Sequence, residues 1–84
     1  MAWQLKIYSD VRKRIARLPE KERIRLVEAI FSLEDNPFLG DVKPLRGHPL
    51  WRLRVGGWRV LFKIEKQERI VYIVGVGPRG DVYK

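Results

Sequence analysis

Eighty-four residues, 45% hydrophobic and without a cysteine, make room for one small core and exclude disulfides and thiol chemistry. Eighteen Lys and Arg against ten Asp and Glu leave a net charge of +8 and a pI near 10.3, which points to a polyanionic partner, nucleic acid above all. The opening Met1-Ala2-Trp3-Gln4-Leu5-Lys6 lacks an apolar signal core and no run approaches membrane-spanning length, so a cytoplasmic protein with no membrane association is expected, one domain over residues 1–84.

In chain order, Trp3 to Tyr8 alternates apolar and polar and reads as a strand. Ser9 or Asp10 is placed to cap a short helix whose apolar positions are Val11, Ile15 and Leu18. Pro19 closes it and suits the first turn of a second helix, where Glu20 and Glu22 meet the helix dipole. Ile24, Val27, Ile30, Phe31 and Leu33 give that helix a broad apolar stripe, which ends near Asp35-Asn36-Pro37. A loop with Gly40, Pro44, Gly47 and Pro49 follows, and then the period changes to two. Leu50–Val55, Trp58–Glu65 and Arg69–Val76 read as strands, joined by Gly56-Gly57 and by Lys66-Gln67-Glu68. The fold class is α+β: the order β-α-α-β-β-β predicts a helical hairpin packed on a mainly antiparallel sheet.

The Gly56-Gly57 turn also predicts a register. With both glycines central and both at positive φ, Val55 lies opposite Trp58, Arg54 opposite Arg59, Leu53 opposite Val60, Arg52 opposite Leu61 and Trp51 opposite Phe62. Side chains alternate along a strand and share a face across a pair. One face therefore holds Trp51, Leu53, Val55, Trp58, Val60, Phe62 and Ile64 and belongs under the helices. The other holds Arg52, Arg54, Arg59 and Lys63 around Leu61, a cationic surface on rigid strands. Arg54 opposite Arg59 is an unfavourable like-charge pair that an acidic neighbour or an anionic ligand would relieve. Glu65, Glu68 or Asp81 folding over the patch, or solvation alone, is the alternative to anion binding. The charge skew favours the anion: residues 1–49 carry ten basic and seven acidic side chains, residues 50–84 eight and three.

Other chemistries lack their parts. One histidine, His48, and no cysteine make a protein-only metal cage improbable. Ser9 and Ser32 are the only serines and read as helix-associated, and Gly75-x-Gly77 alone is too weak for a dinucleotide site. His48, in a Gly-His-Pro loop, reads as turn chemistry ahead of a general base. In the closing Gly77-Pro78-Arg79-Gly80-Asp81-Val82-Tyr83-Lys84, a guanidinium can grip two phosphate oxygens and a phenol can exchange a proton. Tyr83 suits an apolar anchor for the tail equally well.

Three strings together resemble the RelE/ParE toxin superfamily: Val42-Lys43-Pro44-Leu45-Arg46-Gly47, then Trp51-Arg52-Leu53-Arg54-Val55-Gly56-Gly57-Trp58-Arg59-Val60-Leu61-Phe62, then Gly77 to Tyr83. They are similar to that superfamily's K-x-L-x-G, R-x-R-x-G-x-Y-R-x-x-Y and final Arg followed by Tyr. The opening strand, Leu18-Pro19 and Leu33-x-x-Asn36-Pro37 extend the likeness over essentially the whole chain, and the ending looks like archaeal or thermophilic RelE-like toxins. The resemblance implies a RelE-like fold and a metal-independent endoribonuclease without cofactor, which cuts mRNA on the ribosome and so inhibits translation. It implies that Arg52, Arg54, Arg59 and Arg79 stabilise the reacting phosphate and that Tyr83 takes part in proton transfer, while Lys43, Arg46 and Lys63 contact RNA. It also implies an acidic RelB-like antitoxin, with the isolated toxin a monomer or weak dimer and the complex a larger assembly. Some relatives carry lysine at the positions of Arg52 and Arg54, and many carry His where this chain has Pro78. A ParE-like toxin that binds DNA gyrase and a non-catalytic RNA-binding domain are the competing readings.

Overall fold

The computed structural model describes residues 3–38 and 40–78. Its elements are β1 (Gln4–Ile7), α1 (Ser9–Ala16), α2 (Glu20–Ser32), β2 (Val42–Pro44), β3 (Trp51–Val55), β4 (Trp58–Glu65) and β5 (Ile70–Pro78). They form one mixed sheet in the order β1-β5-β4-β3-β2; β1 runs parallel to β5 and the other pairs are antiparallel. The expected β-α-α-β-β-β pattern is present with one strand added. β2 lies in the stretch expected as loop, pairs with only Trp51 to Leu53, and ends on Pro44, which an edge strand tolerates.

Two expectations about the helices are corrected. The residue before α1 is Tyr8, with extended backbone and no side-chain cap, so Ser9 and Asp10 stand inside the first turn. Pro19 likewise precedes α2, where its carbonyl accepts from the Arg23 N–H at 2.9 Å. The buried side of α2 is Leu26 and Ile30, continued by Leu33 at its C-cap in an i, i+4, i+7 row, whereas Ile24 and Phe31 from the expected stripe are about half exposed. These residues and Val11 and Ile15 of α1 pack against Leu53, Val60, Phe62, Val71, Ile73 and Val76 of the sheet.

The β3–β4 register is the one that the Gly-Gly turn predicts, from Val55↔Trp58 to Trp51↔Phe62. The turn itself differs. Only Gly56 has positive φ, 59°, which is the pattern of a type II′ turn, where the first central residue alone is left-handed.

β5 holds a feature that the sequence reading passed over. Leu61 pairs with Gly75 but Phe62 pairs with Ile73, which leaves Val74 as the extra residue of a β-bulge. The bulge reverses the face alternation of β5. Val71 and Ile73 before it and Val76 after it all reach the core, and Gly75 and Gly77 turn to the opposite face.

Candidate functional site

The face of the sheet away from the helices carries the residues singled out above. Arg54 and Arg59 are directly paired across β3 and β4, and Arg52 lies between Leu61 of β4 and Lys43 of β2. On the far side of Arg59 its β5 partner is Gly77, so no side chain of that strand competes for the space beside the guanidinium. The expected cationic face is largely closed to solvent at its arginines. Arg52 is 7% exposed and Arg59 9%, so both are buried, and Arg54 is only partly accessible.

Buried cations need partners, and Asp41 is one. Arg52 Nη1 donates to the Asp41 carbonyl at 3.1 Å and to its carboxylate Oδ1 at 3.0 Å. Arg54 Nε lies 3.7 Å from Oδ2, and the Arg54 backbone N–H donates to the same carbonyl at 3.0 Å. The hydrogen bond from Arg52 holds the Asp41 carboxyl below its ordinary range, against opposing desolvation and with help from the charges of Arg52, Arg54 and Lys43. The acidic neighbour is thus none of the three anticipated. Glu65 accepts from the Gln67 backbone N–H at 3.1 Å, Glu68 is exposed in the turn before β5, and Asp81 lies outside the described residues. Asp41 was legible only through β2, whose pairing with β3 carries the preceding residue beside Arg54.

The remaining candidates divide. Lys43 and Lys63 are exposed on the arginine face, and the Lys63 Nζ stands 5.9 Å from the centre of the Tyr72 ring. Arg46 is exposed in the turn after β2, off the sheet. Arg79 and Tyr83 lie outside the described residues; β5 ends at Pro78, one residue beyond the level of Arg59. His48 is exposed in a turn, where its backbone N–H donates to the Leu45 carbonyl at 3.2 Å. The Ser32 hydroxyl donates to the Ala29 carbonyl at 2.6 Å. Trp58 packs with the core on the helix side, as its parity requires.

What this arrangement supplies is a fixed positive field. Arg54 and Arg59 project from paired strands, and Asp41 fixes Arg52 behind them, so the positive field is in place before a ligand arrives.

The same chain order, strand motifs and sheet are found in known proteins. A profile of the ParE toxin of type II toxin–antitoxin systems, parDE, matches residues 5–83. The chain belongs to the RelE/ParE family of type II toxins. A protein of Methanocaldococcus jannaschii, provisionally named toxin RelE1, is 30% identical over 88 residues, which covers 100% of this chain and 98% of that one. The toxin also matches the archaeal RelE–RelB complex from Pyrococcus horikoshii OT3 with a TM-score of 0.85 and 30% identity, over 96% of this chain and 99% of that chain. The RelBE2 toxin–antitoxin complex of Mycobacterium tuberculosis matches with a TM-score of 0.82 and 26% identity, over 94% and 100%. This toxin therefore shares its two helices on a mixed five-stranded sheet with RelE proteins.

Proposed function

We propose that this toxin is an endoribonuclease that cleaves mRNA on the ribosome in the cytoplasm and so stops translation. The observation that carries the reading is the Arg54–Arg59 pair on the helix-free face, with Arg52 locked beside it by Asp41. In the reaction, a ribose 2′-OH attacks the adjacent phosphorus, the P–O5′ bond breaks, and the products are a 2′,3′-cyclic phosphate and a 5′-OH. The hydroxyl gives up one proton and the leaving oxygen takes one. Arg54 and Arg59 stabilise the charge on the pentacoordinate centre, Arg52 adds to the field, and Arg79 contributes a further guanidinium. Removal of one such preorganised donor typically costs about 10²–10³ in rate. Tyr83 assists the proton transfers. A free phenol titrates near about 10, so the surrounding cations have to favour its phenolate. A weak base of this kind accounts for help from the ribosome, which orients the RNA. Lys43, Arg46 and Lys63 hold the RNA backbone, and no metal or cofactor takes part.

The partner is a RelB-like acidic antitoxin, which offsets the +8 charge. A shallow apolar groove between α1 and α2, lined by Ile7, Ile15, Val27, Ile30 and Phe31 with Arg12 at its edge, suits an amphipathic acidic segment of that partner. Tyr8, Ile24 and Phe31, each about half exposed, widen the apolar surface near it. The isolated toxin is a monomer or weak dimer, and the complex is a larger assembly.

The ParE name of the matching family profile favours a second reading, in which the toxin binds DNA gyrase and cuts no RNA. Translation in a cell-free system, with mRNA ends mapped by primer extension, separates the two. Discrete cuts that require ribosomes and vanish in Arg79→Ala and Tyr83→Phe are expected. Arrest without cuts, or no arrest, contradicts cleavage; cuts that survive Tyr83→Phe restrict Tyr83 to anchoring.

A further inference from the structure

Below the arginines the helix-free face carries a second row, whose aromatic member has no part in the reaction proposed above. Lys6 of β1 and Lys63 of β4 are both direct partners of Tyr72 in β5, so the phenol ring lies between two lysines across three strands. We propose that Tyr72, framed by Lys6 and Lys63, is a stacking platform for an unpaired base of single-stranded RNA, a site that rests on the RNA reading above and extends it.

Three observations carry the proposal. Tyr72 stands outside the apolar cluster beneath the helices, which Val71 and Ile73 on either side of it join, so its ring is not a core residue. The ring is half-buried and the two lysines are exposed, so an aromatic surface is held in place by its strand with two solvent-accessible cations beside it, the Lys63 ammonium over the ring. The Lys63 ammonium sits 5.9 Å from the ring centre, and among the described residues neither lysine forms an ion pair. Glu65, the nearest acid on that face of β4, has its carboxylate engaged by the Gln67 N–H. An aromatic face with flanking cations is the chemistry by which proteins hold single strands: the ring takes any base and the cations take the phosphates.

β4 gives the platform a fixed relation to the reaction centre. Arg59, Leu61 and Lys63 follow one another on the same face of β4, and four residues of strand separate Arg59 from Lys63 by about 13 Å. A base on Tyr72 therefore belongs to a nucleotide beyond the one at the reacting phosphate. Its contribution goes to affinity and to the placement of the RNA, so it appears in KM and not in kcat.

The test titrates the full-length protein with a short oligoadenylate, 2′-O-methylated to block cleavage, and with a sugar–phosphate oligomer of equal length that lacks bases. Loss of the stacking ring in Tyr72→Ala is expected to weaken oligoadenylate binding about tenfold or more. The base-free oligomer should bind Tyr72→Ala as it binds wild type, and Tyr72→Phe should match wild type on both. Lys63→Ala should weaken both oligomers and lower the salt slope by about one. Equal loss on the two oligomers, or no loss from Tyr72→Ala, overturns the platform. If Arg59→Ala still weakens binding in that case, RNA recognition survives and the platform alone fails. Wild type that binds neither oligomer rejects both.

Discussion

The two faces of β3, β4 and β5 are built from alternate residues of the same strands and have opposite chemistry. Toward the helices, Leu53, Val60, Phe62, Val71, Ile73 and Val76 close an apolar core with Val11, Ile15, Leu26 and Ile30 of α1 and α2 and with Leu33 just past α2. One residue along, the other face holds Arg52, Arg54, Arg59 and Lys63 against Gly75, Gly77 and Tyr72. Burial does different things on the two sides. On the first it removes apolar area from water and drives folding. On the second it desolvates cations, a cost that Asp41 offsets for Arg52 and Arg54. On the proposed function, stability and chemistry are segregated by strand parity, so substitutions on the two faces should have separable effects.

The largest effect belongs to the core. Phe62 is wholly buried, and Phe62→Ala should cost about 3–5 kcal/mol of stability, a large part of what so small a domain has. Chemical denaturation measures it, and a loss below about 1 kcal/mol would mean that this face is not the apolar core described here. Next is Asp41→Asn, which removes the carboxylate from Arg52 and Arg54. Stability should fall and RNA affinity should rise, because the two arginines lose a competing anion. Because the folded protein holds the Asp41 pKa below its ordinary 3.8, the carboxylate's contribution is complete above that value and is lost as pH falls through the depressed pKa. The Tm difference between wild type and Asp41→Asn should therefore be constant near neutral pH and shrink below about pH 4. A difference unchanged down to pH 2 would contradict the ion pair. The smallest effect on stability is expected from Phe31→Glu on the exposed side of α2, within about 0.5 kcal/mol of wild type. The same variant should bind the acidic antitoxin at least about tenfold more weakly, by loss of apolar contact and by like-charge repulsion. A wild-type affinity would move the docking surface elsewhere.

Much of the arginine face was legible because one local signal, Gly56-Gly57, sets the register of the β3–β4 hairpin and so the side to which each arginine points. What escaped depended on contacts between distant segments. β2 is three residues long and ends on proline, too short for a period to emerge, and with it went Asp41. The bulge at Val74 lies in the run Ile70 to Val76, where nearly every residue is apolar and alternation gives no sign of its own. The spacing of Val71, Ile73 and Val76, two and then three, was the only trace. In α2 the apolar residues outnumber the positions that the sheet covers, so the pattern alone did not separate Leu26, which is buried, from Ile24 and Phe31, which stay about half exposed. Sequence likewise gave the side on which Arg52 and Arg59 stand and not how little solvent reaches them.

The most direct test of segregated faces is the mRNA cleavage rate of Arg59→Ala, measured on ribosomes with the unfolding midpoint of the same sample. The account predicts a loss of about 10²–10³ in rate from a protein that remains folded at the assay temperature. Cleavage near the wild-type rate by that folded variant would contradict the assignment of the arginine face as the site of chemistry.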